Sequence, residues 1–209
     1  IEVVEDLARP VVTLTGAGVF DGDDNGTART LTINQTGAST YAGSITGVAD
    51  LVKKGAGTLV LTGTNIYAGT DNVQKGSGLV QEGTLVIGTP QAMHEDNDYT
   101  VDSGATLQIA SSDINPVSGD IIPVSGDEVT VKIGGFLDVD SAFEATLLSN
   151  SGLSTLDAAL EISTYLNNTG QGRVDANADI TAQNADNDGL WNVLSSRTLT
   201  LNGTGTGAA

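Results

Sequence analysis

The sequence predicts an all-β chain built as a parallel β-solenoid, in which short strands stack coil on coil. Three observations carry this. The phrase Gly-Thr-Leu-x-(Leu/Ile) recurs as Gly57-Thr-Leu-Val-Leu61, Gly83-Thr-Leu-Val-Ile87 and, with an inserted Ala, Gly104-Ala-Thr-Leu-Gln-Ile109. Looser copies are Arg29-Thr-Leu-Thr-Ile33, Gly135-Phe-Leu-Asp-Val139 and Arg197-Thr-Leu-Thr-Leu201. The threonines at 30, 58, 84 and 106 lie 28, 26 and 22 residues apart, a period that suits one strand-bearing coil. Composition agrees: the 209 residues include 27 Gly but only 4 Pro and 4% aromatics, as a narrow aliphatic core with glycine corners requires.

The elements follow in order. Residues 1–15 alternate loosely, and Pro10 with Glu2, Glu5 and Asp6 suits them to cover an N-terminal edge. Asp21-Gly-Asp-Asp-Asn-Gly26 is an acidic turn. Strands near 29–34 and 58–62 bracket shorter ones at Tyr41, Ile45 and Val48. Rungs continue through 84–88, 99–102, 105–110, 129–133 and 136–140. Alternation sets the phase: Leu59, Leu61, Leu85, Ile87, Leu107 and Ile109 point inward, and Val60, Val86 and Gln108 outward. Gln108 supports this phase, since an amide in a dry core lacks partners. The duplicated Pro116-Val-Ser-Gly-Asp120 and Pro123-Val-Ser-Gly-Asp127 reads as a loop or an edge, because proline cannot donate to a central ladder.

The run Lys53-Lys-Gly-Ala-Gly-Thr-Leu-Val-Leu-Thr-Gly-Thr-Asn-Ile-Tyr-Ala-Gly69, closing on Gly83-Thr-Leu-Val-Ile-Gly88, resembles the passenger-associated transport repeat of bacterial autotransporters. The resemblance covers residues 51–88 and implies a right-handed parallel β-helix displayed outside the cell. It is specific for fold and location and nearly silent on activity. The segment from Gly69 to Glu82 is longer than that family's usual turn and is expected to bulge off one corner.

Three parts are expected: rungs over 1–140, an irregular or helical excursion with further rungs over 141–190, and the start of a second large repeat over 191–209. For the excursion two readings stand. Ser141-Ala-Phe-Glu144 and Ser154-Thr-Leu-Asp157 look like capping boxes, and Leu156, Ala159, Leu160 and Ser163 fall at helical spacing, so a short helix near 141–166 fits. Leu147-Leu148 and Leu160-Glu-Ile162 equally read as more rungs. The second repeat rests on an echo of Arg29-Thr-Leu-Thr-Ile33 at Arg197-Thr-Leu-Thr-Leu201, offset by 168 residues. With no initiating Met and no signal peptide, the chain reads as a processed protein or a piece of a longer surface protein.

Chemistry is sparse. A net charge of −18, from 26 acidic and 8 basic residues, excludes the basic footprint of a nucleic-acid binder and disfavours an anionic membrane surface. No apolar run is long enough for membrane insertion by this segment. There is no Cys, hence no disulfide or thiolate, and His94 stands alone in a polar loop. No catalytic set emerges, and no cofactor is required. Calcium is the most credible ligand: Asp21, Asp23 and Asn25 match the first half of a calcium loop, but position twelve is Thr32 where a bidentate Glu belongs. A solvated acidic turn is the commoner explanation.

The expected function is a non-catalytic structural or adhesive module on a bacterial outer surface or secreted from the cell. Its partners would be a host-cell or matrix receptor. The alternative is an extracellular filament subunit that pairs with copies of itself through open coil edges. A polysaccharide-active β-helix enzyme ranks below both, since acids concentrate at corners, basic partners are few and Trp191 is the only Trp.

Overall fold

The computed structural model describes residues 16–21, 29–46, 48–65, 77–93, 97–110 and 124–203. These form a β-solenoid of two long parallel sheets and one short one, with a single 3-10 turn at Pro90–Ala92. The described chain begins with β1 (Val19–Asp21), β2 (Arg29–Asn34), β3 (Ser39–Tyr41), β4 (Ser44–Thr46), β5 (Val48–Lys54) and β6 (Thr58–Leu61). It continues through β7 (Ser77–Val80), β8 (Gly83–Ile87), β9 (Asp98–Val101), β10 (Ala105–Ile109), β11 (Val124–Val131) and β12 (Phe136–Val139). The last strands are β13 (Phe143–Asn150), β14 (Leu153–Leu156), β15 (Leu160–Asn168), β16 (Arg173–Ala176), β17 (Ile180–Asn187), β18 (Leu190–Val193) and β19 (Leu199–Leu201).

One sheet stacks β3, β6, β8, β10, β12, β14, β16 and β18 in that order. The other stacks β2, β5, β7, β9, β11, β13, β15, β17 and β19. Every neighbouring pair is parallel, so the chain climbs one rung each time it returns to a sheet. The recurring phrase sets the register. Leu59 pairs with Leu85, Leu85 with Leu107 and Leu107 with Leu137, while Leu61, Ile87, Ile109 and Val139 form a second column. All eight side chains are buried in one continuous core. Val60 and Gln108 face outward as expected. Val86, in the same outer column, is nonetheless only 9% exposed.

Of the two readings of 141–166, the further rungs hold and the helix does not form. Residues 143–150, 153–156 and 160–168 are strands β13 to β15. Phe143 and Ala145 are buried while Glu144 between them is exposed, and Leu160, Glu161 and Ile162 repeat the alternation. A period of two therefore wins over the helical spacing read from Leu156, Ala159 and Leu160. Ser154 lies at 0% exposure in the Leu137–Val174 column rather than capping a helix.

A second correction concerns the bulge expected from Gly69 to Glu82. Its last part is strand β7, paired with β5 on one side and β9 on the other. The strand was hidden by Gly78, which points inward where the recurrent pattern has a large residue. A Cβ built there would stand 2.4 Å from Cδ1 of Tyr99 on the next coil, so the missing side chain is replaced by a neighbour's ring. Residues 69–76 of that segment lie outside the described residues, as do 66–68, 1–15 and 111–123. Val124–Gly126, from the second copy of the Pro-Val-Ser-Gly-Asp duplication, pair with β13, whereas the pairing of β11 to β9 begins only at Val129.

A ladder of buried asparagines, unforeseen from sequence, holds the later corners. Asn150 donates Nδ2 to Oδ1 of Asn168 at 2.9 Å, and Asn168 donates Nδ2 to Oδ1 of Asn187 at 2.8 Å. The same amides reach the main chain across the corner, at the carbonyls of Arg173 and Leu190. In-register stacking lets one amide satisfy the next, which makes a fully buried Asn tolerable. The acidic turn Asp186-Asn-Asp-Gly189 supplies the last rung of this ladder.

Candidate functional site

The residues of the 51–88 repeat do structural work at the corners. Lys53 is inward-facing and 0% exposed at the end of β5. Its Nζ donates to the carbonyls of Lys54 (2.9 Å), Gly55 (2.7 Å) and Glu82 (3.2 Å), while Glu82 Oε2 accepts from the Gly55 N–H at 3.0 Å. One buried ammonium thus ties two coils at a turn, where the Lys54 carbonyl also accepts from the Gln35 N–H of the preceding coil at 3.1 Å. Burial pushes the Lys53 ammonium down from the ordinary 10.5, and the Glu82 carboxylate pulls part of the way back. The unfolded chain therefore binds this proton more readily. Its contribution to stability rises with pH through a window that closes near 10.5. Lys53→Ala is expected to cost about 2–4 kcal/mol, because it strands buried carbonyls and opens a void. Thermal melts at neutral pH check this, and the variant should also lose the alkaline rise.

Asn65 does the same on the third side of the coil. It is buried, its Oδ1 accepts from the Ile45 N–H at 3.1 Å, and its Nδ2 donates to the Ala92 carbonyl at 3.0 Å. One side chain so joins the preceding and following coils. Gln35 closes the corner beneath, donating Nε2 to the Thr58 carbonyl at 2.6 Å and accepting from Ser39 Oγ at 2.9 Å.

The outer face of the eight-stranded sheet carries an acidic stripe. Asp138 and Asp140 on one coil neighbour Asp157 on the next, and Gln108 donates Nε2 to Asp138 (3.3 Å) and Asp140 (2.8 Å). Two rungs from Asp138, Asp175 accepts from Arg173 Nε at 2.8 Å. Burial, then the charges of Asp140 and Asp157, push the Asp138 carboxyl above its ordinary range. Sequence reading placed the acids at corners and missed this stripe. Its signal was an Asp following an inward aliphatic on successive coils, in Leu137-Asp-Val-Asp140, Leu156-Asp157 and Val174-Asp175.

Of the calcium half-site, Asp21 closes β1 with its backbone beside Thr46. Its side chain, with Asp23 and Asn25, lies outside the described residues. So does His94. Among the described residues no group of three or more His, Cys, Asp or Glu is arranged to hold a metal ion. If Asp21, Asp23 and Asn25 bind calcium, EDTA should lower the melting temperature and added calcium restore it. An unchanged melt returns them to a solvated turn, and that is the result we expect. Among the described residues no helix is long and apolar enough to cross a membrane.

The fold and these sites meet one informative likeness. The chain is 38% identical over 79 residues to the adhesin BmaC autotransporter of Brucella suis biovar 1 (strain 1330), a match covering 35% of this chain. The chain spans 2% of that curated relative's length. No family model matches the chain, and no solved structure matches it.

Proposed function

We propose that the chain is a non-catalytic adhesive module of a longer autotransporter-type passenger on a bacterial outer surface. In this reading residues 51–88 are a passenger-associated transport repeat. The observation that carries it is the parallel solenoid, with its in-register Leu59–Leu85–Leu107–Leu137 column, in a chain similar to part of an autotransporter adhesin. The core is filled by side chains, so function falls to the outer faces and to loops between rungs. A host-cell or matrix receptor is the partner this arrangement suits. The purified chain, coated on beads, is expected to bind a panel of host cells and matrix proteins saturably. Absence of binding across the panel would reduce it to a rigid spacer.

The acidic stripe favours a second reading, polysaccharide binding or cleavage. Asp138, Asp140 and Asp157 share one face of successive coils, and Arg173 stands beside Asp175. Incubation with a polysaccharide panel separates the readings: released reducing ends would overturn the non-catalytic one.

A further inference from the structure

In a parallel register, equivalent positions of successive coils stand about 4.8 Å apart, so an acid repeated at one position meets its own kind. On the nine-stranded sheet Glu144 of β13 is directly opposite Glu161 of β15, and both are exposed. The column continues through Ser125 of β11 and Thr181 of β17, neither of them a cation. The other charged residues on these strands are Asp127 and Glu128 of β11 and Asp186 of β17, all of them acids. Asp179, just before β17, accepts from the Thr198 N–H. On the eight-stranded sheet Gln108 of β10 donates to Asp138 and Asp140, and Asn177, just after β16, donates to Asp157 at 3.3 Å. Thr155 of β14 faces Asp138. The nearby cations are committed elsewhere: Arg173 to Asp175 and Lys132 to Asp102.

We propose that the in-register Glu144–Glu161 pair on one sheet and the Asp138, Asp140 and Asp157 cluster on the other make the rod acid-responsive, tightening it as pH falls toward the carboxylate range. Charged carboxylates stacked this closely repel along the rod axis. A proton taken up at Glu144 or Asp138 on acidification relieves that repulsion. Partial desolvation against the sheet, followed by the Glu161 charge, raises the Glu144 carboxyl, as desolvation and its neighbours raise Asp138. Groups raised on folding stabilise fully below their unfolded values of 4.5 and 3.8, and that contribution is lost as pH rises through the folded ones.

The test compares melting temperatures of the full chain at about pH 7.5 and about pH 4.0, at constant ionic strength. The wild type should melt about 2–4 °C higher at the lower pH. Glu144→Gln and Asp138→Asn should each raise the melt at the higher pH and flatten the response. Asp188→Asn, which removes the same charge at an exposed corner, should keep the wild-type response. Far-UV circular dichroism confirms that each variant folds. Glu144→Gln and Asp138→Asn variants with an undiminished response would overturn the proposal. So would an Asp188→Asn variant flattened as much, since the effect would then be one of net charge alone.

Discussion

Leu107→Asp is expected to abolish cooperative folding of the central coils. Leu107 is 0% exposed, with Leu85 on one rung and Leu137 on the next. An ionised carboxylate there has no cation in reach among aliphatic neighbours and would take up a proton at a cost of several kcal/mol. Leu107→Ala alone is expected to cost about 2–5 kcal/mol through lost burial and the cavity left behind. That is a large share of the roughly 5–15 kcal/mol that holds an ordinary domain together. In a solenoid the damage spreads, because each coil is stabilised chiefly by its two neighbours. Loss of the β-sheet dichroism signal and rapid proteolysis around residues 105–109 are the expected readouts. A Leu107→Asp variant that melts within a few degrees of wild type would place Leu107 outside the core.

Gly83→Ala should be the second most damaging of these changes, and Gly83→Val worse. Gly83 has φ +69°, and an added Cβ would lie 2.4 Å from the carbonyl oxygens of both Gly55 and Gly57. Both obstacles are backbone, so neither can swing aside. Left-handed strain alone costs about 1–3 kcal/mol, and the overlap adds to it by forcing two coils apart. Gly104 supplies the control. It has φ +79° with nothing within 4 Å of its Cβ position. Gly104→Ala should therefore cost only the conformational strain, and the difference between the two alanine variants isolates the close approach of stacked corners. Equal losses at both positions would remove that explanation.

What could be read in advance was whatever repeats with a period of two inside a coil. Leu59-Val-Leu61, Leu85-Val-Ile87 and Leu107-Gln-Ile109 alternate without interruption, so their register and inward phase followed from the letters alone. The errors fell where a coil satisfies its core by other means. At Gly78 the volume comes from Tyr99 of the next rung, so the strand looked like a glycine-rich loop. At Ser154 a small polar side chain occupies a leucine position, and together with Thr155 and Asp157 it imitated a helix cap. The corner staples were hidden for a related reason. Lys53, Asn65, Asn150 and Asn168 are residue types that usually face water, and only the stacked register shows the carbonyls and amides that receive them. The acidic stripe needs two coils aligned before its members meet. The same holds for the Glu144–Glu161 pair, which lies 17 residues apart in sequence and one rung apart in space.

The central claim is that distance along the molecule counts rungs rather than residues. The chain has no cysteine, so two introduced ones can carry spin labels without background. Val60, Val86, Gln108, Asp138, Thr155, Asp175 and Asn192 occupy one outer-face column. Labels at Val60→Cys and Thr155→Cys stand four rungs apart and should give a separation near 19 Å by pulsed electron spin resonance, from about 4.8 Å per rung. Labels at Val60→Cys and Asn192→Cys, six rungs apart, should give about 29 Å. Two distances in the ratio of their rung counts are the result this account predicts. Equal distances, or a shorter one for the more distant pair, would contradict a parallel in-register solenoid.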